Sequence, residues 1–599
     1  MSNAGLSRRR FLGALGAGGA AALGAPGRLR ARESDAAMPK KPNVILIMTD
    51  DQGWGDIRSH GNSAIDTPVM DRLAAGGARF ERFFVSPLCA PTRASLLTGR
   101  YHLRTGTWGV TKGQEIMRAD EVTVATAFRQ AGYATGCFGK WHNGEHYPHH
   151  PNGKGFDEFL GFCAGHWNNY FDTTLDHNGK PLKSKGFISD VFTDGALAFI
   201  EKSKDRPFFV YLPYNAPHGP FQVPDKYFNK YQGRGLGDRD AAIYGMIENV
   251  DDNIGRLLNQ LDRLALADRT IVLFLTDNGP NGKRYNGGMR GTKGSVHEGG
   301  VRVPLFIRWP GRIKPGTVVR EIAHHCDLFP TLVDLAGIPM PKTEPLDGIS
   351  LRPLLEGKAD GWPDRMIFTH RTGGGKVGPA QGSLRSRRYR LVNAGRGYEL
   401  YDMIADPDQT KDIGKAQPDV LQTMRAEYER LFADVTKKGF APVPVPVGYA
   451  EADPVTIPAP LVTLKGGVTF KGRSGWANDW ITGWTSPDDA CSWEVDVVGA
   501  GRYEPALLYT CPAADVGSTI RLEVGGQMVE AALTKAHDPE PIRSPDRVPR
   551  GEVYEKVWAT LVFPAVKLRE GRTRITVRAT KISGRQVADL KAVRLRRVD

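Results

Sequence analysis

The first half of the chain alternates continuous apolar runs with longer stretches in which apolar residues recur at helical spacing. Continuous runs of this length are typical of strands buried on both faces of a parallel sheet. The predicted strands cover residues 42–49, 134–140, 208–214, 270–276 and 303–308. The predicted helices cover residues 67–75, 123–131, 240–264 and 327–336. Because strands and helices alternate, we expect an α/β sandwich with a mostly parallel central sheet.

Three different patterns follow in the second half. Short strand signals at 384–392 and 398–401, with a helical pattern at 420–432, predict a small α+β subdomain. The next stretch is rich in proline, which is typical of a stiff extended linker. Beyond it, short strands and turns continue without a helical stretch, so we expect a separate all-β sandwich. Its predicted strands cover residues 468–470, 492–498, 506–510, 520–524, 559–563, 574–579 and 590–595.

The N-terminus has the order of features found in a twin-arginine export signal. Arg8, Arg9 and Arg10 precede Phe11 and Leu12, and a Gly/Ala-rich, weakly apolar run follows. The alternative is a disordered basic tail. No other run approaches the ~18 continuous apolar residues of a membrane-spanning helix. We therefore expect export by the twin-arginine translocase, no membrane insertion after processing, and a periplasmic or secreted protein.

These patterns divide the chain into five predicted segments. They are the export signal with a flexible start at 1–38, the α/β catalytic domain at 39–340, the α+β subdomain that completes it at 341–440, the Pro-rich linker at 441–460 and the β-sandwich at 461–599.

Composition narrows the class of partner. The 599 residues are 40% hydrophobic, as in ordinary globular proteins, and carry a formal charge of +14. That charge suits an anionic partner, but no basic run is interleaved with aromatic residues as in nucleic-acid modules, so no nucleic acid is expected. The six cysteines do not form a disulfide framework. Cys491 and Cys511 either pair or remain thiols, whereas Cys137, Cys163 and Cys326 are expected to be buried thiols.

The sequence Cys-Ala-Pro-Thr-Arg at 89–93 places a nucleophile beside an anion pocket. Pro91 suits the first position of a helix and Gly99 suits its end, so Cys89 is expected just before a short helix. An anion held there would meet free N–H groups, and Arg93 could reach back toward the same point. The alternative is a buried, inert cysteine.

The pattern Cys-x-Pro-x-Arg, followed by Ala-Ser-Leu-Leu-Thr-Gly-Arg, resembles the maturation signature of type I sulfatases, in the alkaline phosphatase superfamily. The resemblance implies that Cys89 is oxidised to formylglycine by a formylglycine-generating or anaerobic sulfatase-maturating enzyme. One hydroxyl of the hydrated aldehyde would attack sulfur, and the other would later expel sulfate. Residues 290–304 look like the second long signature of the same family.

Other polar groups follow predicted strands, at the edge where ligands gather in open α/β sheets. Asp50 and Asp51 follow the first strand, Asp277 and Asn278 follow the strand at 270–276, and the segment 215–218 ends in a histidine. The period of two places Lys140 and His142 on one face of an extended segment. Each cluster alone also suits an ordinary turn or loop.

Together these clusters resemble the type I sulfatase set over roughly residues 42–310. The resemblance implies one calcium ion bound by Asp50, Asp51, Asp277, Asn278 and the modified Cys89. Oxygen ligands of this kind suit a hard cation and argue against zinc.

The resemblance also assigns roles to the remaining polar groups. It implies that Lys140 and Lys293 bind sulfate oxygens and that Arg93 holds the diol. His218 would protonate the leaving oxygen, and His142 would take the proton that triggers sulfate elimination. Lys283 and Arg290 lie in the same Gly-rich loop and remain alternatives to Lys293.

The resemblance predicts an exported, calcium-dependent sulfatase that acts on sulfate esters, with sulfated carbohydrate as substrate. The alternatives are a phosphodiesterase or phosphonate monoester hydrolase on the same fold, or a noncatalytic glycan-binding protein in which the sandwich does the work. Residues 145–150 and 165–170 offer imidazole, amide and aromatic groups suited to sugars, or they form plain polar loops.

Two further ligand sites remain open in the sequence. His146, His149 and His150 are a minor metal-site alternative. Trp476, Trp480 and Trp484 give the sandwich a loose resemblance to carbohydrate-binding jelly rolls, although aromatic residues in sandwiches more often form the core.

Overall fold

The computed structural model describes residues 41–372, 375–476 and 478–599. The export signal predicted at 1–38 lies outside these residues. In the part of the chain that the structure describes, none of the helices combines the length and apolar character needed to cross a bilayer.

A ten-stranded sheet forms the centre of the N-terminal part. Its strands are β1 (Asn43–Thr49), β2 (Ala78–Phe84), β3 (Ala134–Lys140), β4 (Glu158–Phe162), β5 (Thr174–His177), β6 (Lys180–Lys183), β7 (Phe208–Pro213), β8 (Thr270–Thr276), β9 (Arg302–Arg308) and β10 (Thr317–His324). They lie in the order β10-β2-β9-β8-β1-β7-β3-β4-β5-β6. The central run from β8 to β4 is parallel, and antiparallel pairs flank it at β8–β9 and β4–β5. The predicted α/β fold with a mostly parallel sheet is confirmed.

Helices cover both faces of this sheet. They are α1 (Pro68–Ala75), α2 (Cys89–Thr98), α3 (Val124–Gln130), α4 (Ile188–Ser203), α5 (Asp225–Gln232), α6 (Asp238–Arg263), α7 (Glu298–Val301) and α8 (Leu328–Ala336). Alternate residues of β1 point to opposite faces: Ile45 and Ile47 join one apolar cluster, and Val44, Leu46 and Met48 join the other. The first cluster includes residues of α1, α4, α5 and α6, and the second includes residues of α2, α3 and α8. Burial on both faces explains why the central strands read as continuous apolar runs.

A small antiparallel sheet follows. Its elements are α9 (Arg352–Leu355), β11 (Ile367–His370), β12 (Gly382–Arg385), β13 (Tyr389–Asn393), β14 (Tyr398–Asp402) and α10 (Pro418–Thr436). The single strand predicted at 384–392 is wrong, because β12 and β13 form a hairpin there. The Ser386 hydroxyl accepts a hydrogen bond from the N–H of Tyr389 at 2.9 Å and holds the turn between them.

The C-terminal part is a β-sandwich of two sheets. Its strands are β15 (Val445–Val447), β16 (Val455–Pro458), β17 (Thr463–Lys465), β18 (Thr469–Phe470), β19 (Ile481–Thr482), β20 (Ala490–Val497), β21 (Gly501–Thr510), β22 (Thr519–Val524), β23 (Gln527–Ala532), β24 (Ala559–Val562), β25 (Val566–Leu568), β26 (Gly571–Lys581) and β27 (Asp589–Arg597). Trp480 and Trp484 are buried in this sandwich. Cys491 and Cys511 are buried free thiols, so the pairing alternative is wrong, and Cys137, Cys163 and Cys326 are buried thiols as predicted.

The Pro-rich stretch at 441–460 is more than the linker predicted from its composition. Within it, β15 pairs with β20 and β16 pairs with β27, so it adds a strand to each sheet of the sandwich. Proline is compatible with these positions because β15 is an edge strand, where a missing N–H donor interrupts no ladder.

A buried ion pair joins the central sheet to the small antiparallel sheet. Arg390 on β13 donates to the carboxylate of Glu298, the first residue of α7, at 2.7 and 3.1 Å. Both side chains are buried. Burial alone would raise the pKa of Glu298, but Arg390, Arg385 and Arg302 lower it to about 2. Glu298 therefore stays ionised in the interior.

Removal of Arg390 should destabilise the fold. Arg390→Met leaves Glu298 with less compensation, and we expect the free energy of unfolding to fall by about 3–5 kcal/mol, the range for breaking a buried pair. Urea denaturation monitored by tryptophan fluorescence measures this change. Arg388→Met is the matched control, because Arg388 pairs with Asp402 at the surface and its loss should change little. Equal midpoints for both variants would show that the buried pair does not join the two sheets.

Candidate active site

Four strand ends and the start of one helix converge at one edge of the central sheet. Strand β1 lies between β8 and β7, and its last residue, Thr49, is in register with Thr276 at the end of β8. This register brings Asp50 beside Asp277. Strand β3 ends at Lys140, and the segment after β7 returns to the edge, where the N–H of Asp50 donates to the carbonyl of Ala216 at 3.0 Å.

Cys89 is the first residue of α2. The prediction placed it just before the helix with Pro91 as the first residue, but Pro91 is the third. A proline fits there because the N–H groups of the first helical turn have no intrahelical acceptor. Gly99 ends the helix with φ 68°, as the sequence indicates. Cys89 thus lies at the positive end of the helix dipole.

Arg93, one turn into α2, is fully buried against two carboxylates. Its Nη2 lies 3.0 Å from Asp50 Oδ2 and 2.9 Å from Asp277 Oδ2, and its Nη1 donates to the carbonyl of Lys140 at 2.6 Å. Lys140 Nζ lies 2.5 Å from the same Asp50 oxygen. One arginine therefore joins helix α2 to the ends of β1, β3 and β8.

The charges at this edge are unequally balanced. Burial alone would raise the pKa of both Asp50 and Asp277. At Asp50, Lys140, His218 and Arg93 outweigh burial and hold the pKa well below its usual range. At Asp277, the charge of Asp50 adds to burial and raises the pKa to about 7. The cationic side chains around Asp277 therefore compensate its negative charge only in part, and an additional positive charge beside it would be favourable.

The thiol of Cys89 is protonated at neutral pH in this setting. Its Sγ lies 3.5 Å from Asp50 Oδ1. Burial, followed by the charge of Asp50, raises its pKa to about 12. Because the thiolate is the nucleophilic form of cysteine, the unmodified side chain is poorly suited to attack an ester.

Asp51 is buried and is held by several polar side chains. Lys293 Nζ lies 2.6 and 2.8 Å from its two oxygens, and Asn278 Nδ2 donates to it at 2.9 Å. Of the alternatives to Lys293, Lys283 is exposed and Arg290 donates to the hydroxyl of Tyr401 at 2.7 Å. Only Lys293 of these three contacts the carboxylate cluster in the described structure.

His218 lies beside Asp51 with its Nε2 directed toward the cluster, 3.8 Å from Asp51 Oδ2. Its Nδ1 lies 2.7 Å from the carbonyl of Gly219, a contact that requires Nδ1 to carry a proton. Burial, with Lys293 as the next cause, lowers its pKa. Nε2 is thus the ring nitrogen that faces the carboxylate cluster and is not held by a backbone carbonyl.

His142 differs from the sequence prediction in its backbone and resembles His218 in its chemistry. The chain does not continue extended after Lys140, because His142 has φ 66°. Its Nε2 lies 2.8 Å from the carbonyl of Val110 and must donate there. Its Nδ1 is buried without a hydrogen-bond partner among the described residues. Burial and the charge of Lys140 hold its pKa well below the usual range, so Nδ1 is a free acceptor.

Carboxylate and amide oxygens at this edge, together with the Cys89 sulfur and the His218 ring, form a set of potential ligands for a cation. Asp50, Asp51, Cys89 and His218 bring potential ligand atoms within 4.8 Å of one another. Asn278 Oδ1 is buried and, in the described part of the chain, accepts no hydrogen bond. A bound cation would give Asn278 Oδ1 a partner. It would also compensate the negative charge of Asp277.

Several groups at the site were not assigned from the sequence. Asn281 donates to Asp51 at 3.1 Å, and Arg284 donates to the carbonyl of Asp51 at 2.9 Å. The hydroxyl of Tyr170 donates to the carbonyls of His218 and Gly219. The polar and aromatic composition of the 165–170 loop was the one signal in the sequence for Tyr170. Asn281 and Arg284 lie among several polar residues of a Gly-rich loop, and the sequence does not distinguish them from their neighbours.

The three histidines considered as a second metal site do not come together. His146 Nε2 contacts the carbonyl of Thr456, His149 Nδ1 contacts that of Met117, and His150 Nε2 contacts Asp176. Each is committed to a different partner, so this alternative is not supported.

Comparison with known proteins finds sulfatases. The family model described as "Sulfatase" matches residues 42–338, and the model "N-sulphoglucosamine sulphohydrolase, C-terminal" matches residues 292–434. Arylsulfatase A of Homo sapiens is 33% identical over 67% of this chain and 90% of its own length. N-acetylgalactosamine-6-sulfatase of Canis lupus familiaris is 32% identical over 56% of this chain and 70% of its own length.

A solved structure shows the same relationship. The crystal structure of Ps i-CgsB in complex with k-i-k-neocarrahexaose is 30% identical, covers 67% of this chain and 95% of its own, and has a TM-score of 0.63. Both family models end before the β-sandwich begins.

Proposed function

Since the chain belongs to the sulfatase family and is a sulfuric ester hydrolase, we propose that it is an exported, calcium-dependent enzyme acting on sulfated carbohydrate through a formylglycine formed from Cys89. The observation that carries the proposal is the convergence of Cys89, Arg93 and the buried carboxylates at one sheet edge. Export rests on the sequence of the N-terminus.

The protonated state of Cys89 supports its modification. A thiol with a pKa of about 12 offers almost no nucleophile at neutral pH. A hydrated aldehyde at the same position would offer two hydroxyl groups, one to attack sulfur and one to release sulfate. Arg93 Nε, which is buried and unpartnered within the described residues, is a donor suited to holding such a group.

Calcium is the cation that the oxygen donors favour. The residues that would hold it are Asp50, Asp51, Asp277, Asn278 and the modified Cys89. When bound, it would polarise a sulfate oxygen as a Lewis acid.

Two lysines and two histidines of the chain would bind sulfate and transfer protons. Lys140 and Lys293 would bind sulfate oxygens beside the carboxylates, lowering the cost of charge that develops in the transition state. His218 would deliver the Nε2 proton to the leaving oxygen from its doubly protonated form, in which the carbonyl of Gly219 holds the Nδ1 proton and Asp51, 3.8 Å from Nε2, stabilises the positive charge. His142 would accept a proton at Nδ1, since its Nε2 is held by the carbonyl of Val110.

The substrate class is supported by the names of the relatives. One is an N-acetylgalactosamine-6-sulfatase, and the solved structure holds a neocarrahexaose.

The alternative activity, that of a phosphodiesterase or phosphonate monoester hydrolase, would use the same fold. Comparison of kcat/KM for 4-nitrophenyl sulfate with kcat/KM for the corresponding phosphate mono- and diesters separates the two activities. A kcat/KM that is higher for the phosphate diester would reject sulfatase as the main activity.

The first prediction concerns maturation. Protein made together with a maturation enzyme should carry formylglycine at position 89, which peptide mass spectrometry detects, and Cys89→Ala should be inactive. Cys137→Ala, which changes a buried thiol elsewhere, serves as the control and should retain activity. Full activity in protein whose peptide holds only unmodified cysteine would falsify the mechanism.

The second prediction concerns the metal. Calcium should raise the thermal unfolding temperature of the wild-type protein, since a ligand that binds only the folded state stabilises it. Chelation should abolish turnover. Asp277→Asn should remove the calcium-dependent shift, whereas Asp488→Asn, an exposed control, should keep it. An equal shift in both variants would place calcium somewhere else.

The third prediction separates the two histidines. A sugar alkoxide is a poor leaving group, so His218→Ala should slow sugar sulfate hydrolysis by roughly 10²–10⁴-fold and spare an aryl sulfate with an acidic phenol. His142→Ala should release one equivalent of alcohol or phenol quickly and then turn over slowly, because it acts after the leaving group departs.

Rapid-mixing kinetics with both substrates measures these effects, and His177→Ala, which removes a partly exposed histidine paired with Glu158, is the control. Equal slowing of both substrates by His218→Ala, or the absence of a burst in His142→Ala, would contradict the assigned roles.

A further inference from the structure

One tryptophan of the β-sandwich is exposed close to the active site. Trp476 lies between β18 and β19 and is 45% exposed, whereas Trp480 and Trp484 nearby in sequence are buried. The two buried rings belong to the core, as the sequence suggests for most aromatic residues of a sandwich. Trp476 does not have this role.

Trp476 reaches the catalytic histidine through a single ring. Its ring centroid lies 6.1 Å from that of His166, with an interplanar angle of 74°. His166 in turn stacks on His218 at 6.3 Å and 16°. Trp476 therefore stands on the leaving-group side of the site, one ring further from His218 than His166.

The backbone beside Trp476 is tied to the loop that holds the other histidine. The hydroxyl of Thr111 donates to the carbonyl of Gly475 at 3.1 Å, and Lys112 Nζ lies 5.2 Å from the ring centroid of Phe470. The neighbouring residue Val110 supplies the carbonyl that binds His142. The loop at residues 110–112 thus contacts both His142 and the β-sandwich.

A second contact from the sandwich fixes the loop that carries His166. Arg550 Nη1 donates to the carbonyl and side-chain oxygens of Asn168 at 2.9 and 2.6 Å. Asp546 accepts from Gln222 at 2.8 Å, and Gln222 accepts from the N–H of Tyr170 at 2.8 Å. Because Tyr170 also donates to the carbonyl of His218, the sandwich supports the backbone of the catalytic histidine.

The region between these contacts contains polar atoms without protein partners. His166 and Asn168 are 7% and 6% exposed, and His166 Nε2 and Asn168 Nδ2 have no hydrogen-bond partner in the ranges that the structure describes. Buried polar atoms of this kind are unfavourable until a partner is supplied. A hydroxyl group of a water molecule or of a saccharide would supply such a partner.

We propose that the β-sandwich completes the substrate site and that Trp476 is the stacking platform for a sugar ring of a sulfated oligosaccharide, next to the sugar that carries the scissile sulfate. Tryptophan suits this role because it combines a large apolar face with few rotatable bonds. The proposal rests on the proposed sulfatase function for its substrate class. Trp476 and the β-sandwich lie beyond both matched family models, which end at residues 338 and 434.

The proposal predicts an effect that depends on substrate length. Trp476→Ala should lower kcat/KM about tenfold or more for the best substrate among carrageenan and chondroitin sulfate tetra- to hexasaccharides, through a higher KM with kcat nearly unchanged. Hydrolysis of 4-nitrophenyl sulfate should not change, because it has no second sugar. Trp476→Phe should recover most of the loss by restoring an aromatic face.

Controls separate this role from a structural one. Met528→Ala removes an exposed apolar side chain from β23 of the same sandwich, and it should leave kcat/KM unchanged for both the oligosaccharide and 4-nitrophenyl sulfate. Thermal unfolding of each variant identifies any loss of folding. A Trp476→Ala protein that folds like the wild type and hydrolyses both substrates at wild-type rates, or slows both equally, would overturn the proposal.

A binding measurement keeps this outcome distinct from failure of the proposed function. Titration calorimetry of the same oligosaccharides into Cys89→Ala and into Cys89→Ala/Trp476→Ala compares affinity without turnover. Weaker binding to the double variant supports the platform even if wild-type protein hydrolyses no sulfate ester. Equal binding, or binding to neither protein, rejects it, whereas the absence of all sulfate ester hydrolysis rejects the proposed function.

Discussion

The contact of Arg93 with Asp50 and Asp277 is the interaction on which the rest of the site depends. Parallel strands deliver their polar carboxyl ends to a single edge, and the carboxylates that meet there repel one another in a medium where water does not screen them. A guanidinium fork can bind two carboxylates at once, which a lysine ammonium does less well. Since Arg93 belongs to the helix that begins with Cys89, the group that neutralises the carboxylates also fixes the position of Cys89 relative to them.

The same constraint explains the arrangement around it. Lys140 ends its strand beside Asp50, and Lys293 enters from a Gly-rich loop to meet Asp51. Both are charges placed in a largely buried region, where they are stable only because carboxylates face them. The cluster thus places cationic side chains and carboxylates next to one another at a single edge of the sheet.

The sequence predicted the parts of this structure that depend on local patterns. Strand β8 has the predicted bounds because its five consecutive apolar residues are all buried within the sheet, and β3, which is also fully buried, has the predicted bounds as well. Strand β6, Lys-Pro-Leu-Lys, is exposed at all four residues and has no buried apolar face, so no pattern indicated it. The contacts of Tyr170 and Arg284 depend on packing between distant segments, and residue type alone does not reveal them. Likewise, the strands at 445–447 and 455–458 become strands only because the sandwich offers them partners.

Asp51 and His142 share a backbone feature with a wider consequence. Both have φ 66°, a left-handed conformation that costs a non-glycine residue on the order of 1–3 kcal/mol. The surrounding fold must supply this energy, and two groups of the catalytic edge are held in place by it. Substitutions that relieve the strain at these two positions would stabilise the fold but lower turnover. Stabilising substitutions that preserve activity are therefore expected at other positions of the chain.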